Sequence, residues 1–93
     1  MRKIYKYKLE PSGVQYRMQV DMPYSAGILS LKSKDGVITV YAEVEADDYD
    51  FTQYFYVLLT GEEVPEDCEF LSTLEISNDW GNYTDTVHIY KVL

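Results

Sequence analysis

"SKDGVITVYAEVE", positions 33–45, decides how the chain is read. From Val37 onward it alternates: Ile38, Val40, Ala42 and Val44 are apolar, and Thr39, Tyr41, Glu43 and Glu45 lie between them. A period of two sends the first set to one face and the second set to the other, as in a half-buried antiparallel strand. Asp35-Gly36, just upstream, is a strong short-range hairpin signal. It joins "AGILSLK" to this strand.

The same rhythm spreads outward in both directions. "VQYRMQV" puts Val14, Tyr16, Met18 and Val20 on one face. "EFLSTLEIS" aligns Phe70, Leu74 and Ile76, with Ser72 between them. "YTDTVHIYKVL" sets Val87 and Ile89 against Thr86, His88 and Tyr90. Turn-rich stretches separate these runs: "EPSGV" between the first two, then "EADDYD", "TGEEVPEDCEF" and "SNDWGNY". No window of a dozen residues carries a helical apolar stripe. The sequence therefore predicts a single all-β domain over 1–93, with strands near 2–9, 14–21, 28–33, 37–46, 51–59, 69–77 and 83–92. About seven short antiparallel strands imply a small β-sandwich or a partly open barrel.

Composition narrows the function classes. Hydrophobic residues make up 46% of the 93 residues, enough for a packed core rather than a disordered tail. Ten tyrosines add apolar bulk with a polar end. The formal net charge of −8 disfavours wrapping duplex DNA, which needs a basic surface. One cysteine, Cys68, forms no intramolecular disulfide and no Cys-rich zinc site, and a lone thiol suits a reducing cytoplasm. The opening "MRKIYKYKLE" has charges where a signal peptide would be apolar, and "YFYVLL" is too short to span a bilayer.

The order of "IYKYKLE", "MP" at 22–23, "AGILSLKSKDGVITVYAEVE", "TGEEVPEDCEFLSTLEI" and "HIYKVL" resembles a family of small bacteriophage-encoded proteins. The likeness spans nearly the whole chain, although "EADDYDFTQYFY" is only loosely shared. It implies a small accessory protein in the cytoplasm of an infected bacterium, often one that acts against host antiviral systems. It implies no catalytic residues.

Chemistry-bearing residues fall into three sets. The opening strand is the one place where cations cluster along the sequence. Extended, it presents Arg2, Ile4, Lys6 and Lys8 on one face and Tyr5, Tyr7 and Leu9 on the other. Lys6 and Lys8 suit phosphates, and Tyr5 or Tyr7 suits a stacked base. Arg17 joins them if the first two strands pair. The same lysines also suit an edge strand that must resist aggregation. The second set is aromatic: "FTQYFYVLL" is apolar on both faces, which points to an oligomer interface through Tyr54, Tyr56, His88 and Tyr90. The third is acidic: Asp47, Asp48, Asp50, Glu62 and Glu63, with Glu66 and Asp67, could meet a basic protein surface. An EF-hand is excluded, because no glycine interrupts the acidic run. No nucleophile motif, metal-spaced pair or P-loop is present, so neither catalysis nor a cofactor is expected. Cys68, with acidic neighbours, reads as structural. Trp80 is either folded back over the sandwich end or exposed for binding.

Three functions follow as expectations. The first is sequestration of a signalling nucleotide by a homo-oligomer that antagonises antiviral defence. The second is an acidic inhibitor of a host defence protein, such as a nucleic-acid-binding effector. The third is an accessory virion component.

Overall fold

The computed structural model describes residues 1–77 and 84–93. It contains β1 (Arg2–Lys8), β2 (Glu10–Pro11), β3 (Arg17–Pro23), β4 (Gly27–Lys34), β5 (Val37–Glu45), β6 (Asp50–Leu59), β7 (Cys68–Ser77) and β8 (Thr84–Val92). They form two open antiparallel sheets: β1-β5-β4, and β2-β3-β6-β8-β7. The all-β expectation holds. Trp80 lies outside the described residues.

The β4–β5 hairpin forms as the Asp-Gly pair dictates. Asp35 and Gly36 both have positive φ (53° and 79°), the geometry of a two-residue type I′ turn. The alternation in β5 holds too: Ile38, Val40, Ala42 and Val44 are all buried. Across the interface, Phe55 of β6 and Val87 and Ile89 of β8 complete one core with Leu9, Met22 and Leu31. Each fully buried large side chain contributes about 1.5–3 kcal/mol.

Leu9 is the corner where the chain changes sheets. Lys8 ends β1 in the smaller sheet, and Glu10 opens β2 in the larger. Leu9 itself is buried, and its N–H donates to Ile38 O at 3.0 Å. On the opposite flank, the Ser33 hydroxyl donates to the Glu75 carbonyl and ties β4 to β7.

Three expectations need correction. The first two long strands do not pair: β1 lies beside β5, and β3 lies between β2 and β6. The second strand begins at Arg17 rather than Val14, because Arg17 N–H closes a turn onto Val14 O (3.1 Å) with Tyr16 at φ 63°. Val14 and Tyr16 are therefore exposed, while Met18 and Val20 pack on the core. In β7 a bulge between Phe70 and Ser72 flips the parity. Leu71 packs against the core with Leu74 and Ile76, and Phe70 turns outward.

Candidate functional site

The outer face of the smaller sheet gathers lysines that are distant in sequence. The register sets Lys8 and Lys32 on either side of Thr39. Lys6 lies beside Tyr41, and Lys34 beside Val37. Strand spacing puts the Lys8 and Lys32 backbones about 10 Å apart, and the pleat puts Lys6 about 7 Å from Lys8. Together they line a groove of ≈ 700 Å³ whose floor is Val37, Thr39 and Tyr41. Lys32 Nζ stands 5.8 Å from the centroid of the Tyr41 ring.

Charge on this face is separated along the strands. At the far end of β1 and β5, acids and cations neutralise one another. Arg2 meets Glu43 at 2.8 Å, and the Met1 ammonium meets Glu45 at 3.0 Å. At the groove end, Lys8 has only Glu10 at 4.0 Å. Among the described residues, no carboxylate lies within 4.0 Å of Lys6, Lys32 or Lys34. Half of the eight Lys and Arg of an acidic chain thus converge on one groove, largely unpaired. Such a surface attracts phosphate or carboxylate groups, and an extended tyrosine beside it offers a ring for stacking.

The expected ligand set is divided by the fold. Lys6 and Lys8 are in the groove. Tyr5 and Tyr7 point to the other side of β1, where their rings meet edge to face at 6.4 Å. Tyr7 packs on the core, and burial, with Asp50 and Tyr5 nearby, raises its phenol above 10.0. Arg17 is on the other sheet. Its guanidinium lies 4.4 Å above the Tyr54 ring, and its Nε donates to Ser12 Oγ at 3.2 Å. Lys32, Lys34 and Tyr41 were missed. The Asp-Gly hairpin already set those three on one face. The pairing of β1 with β5, across some thirty intervening residues, was the step that local patterning cannot supply.

The aromatic set does come together. Across the outer face of the larger sheet, Arg17, Tyr56, Tyr90 and Phe70 follow one another in register. Tyr54 joins them beneath Arg17. Phe70 and Tyr90 make an edge contact at 5.4 Å. His88 lies one row along, between Leu58 and Thr73. Both its ring nitrogens are engaged by hydroxyls, Nε2 by Thr60 at 2.9 Å and Nδ1 by Thr73 at 3.0 Å.

The acidic set is split. Asp47, Asp48 and Asp50 sit at the start of β6, and Glu62 and Glu63 just beyond its end. Ten extended residues separate them by about 30 Å. Asp48 is also a turn-builder, accepting from Ser25 N–H (3.1 Å) and Tyr49 N–H (3.0 Å). Cys68 donates its thiol to Pro65 O at 3.0 Å and so braces the loop before β7. Among the described residues, no group of three His, Cys, Asp or Glu side chains is placed to hold a metal ion, and no helix is long and apolar enough to cross a membrane.

Fold and surface define a class: a small two-sheet antiparallel domain with one lysine-lined outer face and one aromatic outer face. The chain belongs to the family described as Domain of unknown function (DUF7352), whose model matches residues 1–92. No curated protein and no solved structure matches the chain.

Proposed function

We propose that the protein is a non-catalytic binding module that captures a phosphorylated small molecule, a nucleotide, on the lysine face. The observation that carries this reading is the convergence of Lys6, Lys8, Lys32 and Lys34 around Thr39 and Tyr41. Two phosphates would be held between the β1 and β4 lysines, and a base would stack on Tyr41. The resemblance to phage proteins supplies the setting: sequestration of a signalling nucleotide, to the benefit of an infecting phage. Self-association fits the same reading. The row of Arg17, Tyr56, Tyr90 and Phe70 is a sheet face of the aromatic and arginine type that favours protein contacts. A continuous acidic ridge against a basic host protein has less support, because its two halves lie at opposite ends of β6.

The test is native mass spectrometry of the purified protein, alone and with cyclic and ADP-ribose-derived nucleotides, followed by calorimetry on any ligand found. A nucleotide adduct on a defined oligomer supports the proposal. A bare chain with no adduct from any phosphorylated compound refutes it.

A further inference from the structure

The lysines of the smaller sheet are staggered, and the stagger describes what they can hold. Lys8 and Lys32 flank Thr39, while Lys6 is paired with Tyr41 and Lys34 with Val37. Relative to the Thr39 row, Lys6 is therefore one pleat repeat toward one end of the strands, and Lys34 one repeat toward the other. The four form a diagonal that covers about 13 Å along the strands and about 10 Å across them. A single phosphate fits between Lys8 and Lys32 above Thr39. It leaves the outer pair of cations, Lys6 and Lys34, without a counter-charge.

The donors of the groove are nearly all of one kind. β5 is paired on both sides, with β1 and with β4, so its N–H groups are spent in the ladders and form no nest for an anion. Among the described residues, the lining holds no arginine, whose planar fork would match one phosphate bidentately. Ser33 is committed, since its hydroxyl donates to the Glu75 carbonyl. What remains is four ammonium groups and the hydroxyls of Thr39 and Tyr41. An ammonium is a compact point charge with rotatable donors. Such a groove selects the amount of negative charge and its spread, and is indifferent to the shape of any one anion.

Charge then sets the size of the ligand. A terminal phosphate carries about −1.5 to −2 at neutral pH. Each further linked phosphate adds one ionised oxygen, so a chain of three comes close to balancing the four lysines of the lining. Magnesium commonly performs this neutralisation, held by phosphate oxygens together with one or two carboxylates. Among the described residues, no carboxylate lines the groove. Glu10 lies 4.0 Å from Lys8 but outside the lining, and Asp35 belongs to the turn that follows Lys34. The lysines thus take the part that the metal plays in a carboxylate site.

We infer that the lysine face takes a linear chain of three linked phosphates, the tail of a nucleoside triphosphate, and takes it free of magnesium. The inference rests on the reading of this face as a nucleotide site and specifies the ligand. The middle of the chain lies over Thr39 between Lys8 and Lys32, and its two ends turn toward Lys6 and Lys34. The end on the Lys6 side carries the nucleoside, because Tyr41 lies in that row. A monophosphate engages chiefly the inner pair. Magnesium competes with the site, since it neutralises phosphate charge before the lysines meet it.

The test is calorimetry on the full chain at fixed ionic strength. AMP, ADP, ATP and inorganic triphosphate are each titrated with a chelator present, and ATP again with excess magnesium chloride. Affinity should rise about fivefold or more with each added phosphate, and magnesium should weaken ATP binding about tenfold. Lys6→Gln with Lys34→Gln should weaken ATP more than AMP. Equal affinity for AMP, ADP and ATP overturns the phosphate chain and leaves the nucleotide reading standing. ATP held more tightly with magnesium than without it overturns the metal-free ligand. Inorganic triphosphate held as tightly as ATP supports the phosphate chain and refutes the stacked base of the nucleotide reading. Binding of none of the four refutes both.

Discussion

The two sheets present equivalent inner faces and opposite outer ones. Inside, both contribute aliphatic and aromatic side chains to one core. Outside, the smaller sheet carries lysines around a threonine and a tyrosine, while the larger carries tyrosines, a phenylalanine and an arginine. The inner faces are constrained by burial, and a change there is felt by both sheets. The outer faces are released from that constraint and can diverge. This divergence leaves stability to the inside and puts the candidate binding surfaces on the outside.

Truncating the shared core tests the claim of equivalence most severely. Phe55 has no exposure and belongs to the core cluster that both sheets supply, so Phe55→Ala should cost about 3–5 kcal/mol in urea unfolding. A loss under 1 kcal/mol, roughly a surface-type value, would mean that the sheets do not share one core.

The next effect separates the outer faces. Lys8→Glu with Lys32→Glu should weaken nucleotide binding about a hundredfold or more, equivalent to about 2.7 kcal/mol, with the unfolding midpoint nearly unchanged. Arg17→Glu, on the other sheet, should leave that affinity intact while losing its contact with Tyr54. Equal losses from both variants would show that ligand binding does not distinguish the faces.

A smaller effect concerns the hairpin that builds the lysine face. Gly36→Ala places a side chain at φ 79° and should cost about 1 kcal/mol in thermal or urea unfolding. The space around it is open, with Ser77 O at 3.8 Å, so backbone strain alone drives the loss.

The smallest effect is a pH slope. The Tyr7 phenol, raised above 10.0 chiefly by burial, holds its proton more tightly folded than unfolded. The folded state then binds more protons, so this contribution is fully present below pH 10 and fades as pH rises through the folded value. Tyr7→Phe should flatten the alkaline loss of stability in a pH-dependent melt. An unchanged slope would place the titrating group elsewhere.

Much of the fold was legible because it is local. The Asp35-Gly36 turn, the period of two in β5, and the inward row of β8 all follow from chirality and pleat acting on neighbouring residues. The failures were equally local in cause. A bulge at Phe70–Ser72 adds one residue and reverses every face before it, and no composition signal marks it. The tight turn at Tyr16 took Val14 out of a strand that its hydrophobicity suggested.

Lys6 and Lys8 stood out in the chain because they are adjacent in pattern. Lys32 and Lys34 did not, because their link to the first two passes through β5 by long-range pairing. The opening strand is an edge strand, and Lys6 and Lys8 form one wall of the lysine groove.

By itself the sequence determined that this chain is an all-β domain with an apolar inner face, since alternation and turn chemistry are set by residues a few positions apart. Which strands are neighbours was decided only in the tertiary structure. That choice placed four lysines around Thr39 and Tyr41 and moved Arg17 to the opposite sheet. Pairing across a long loop depends on how two whole faces fit together, and no short stretch of chain encodes that.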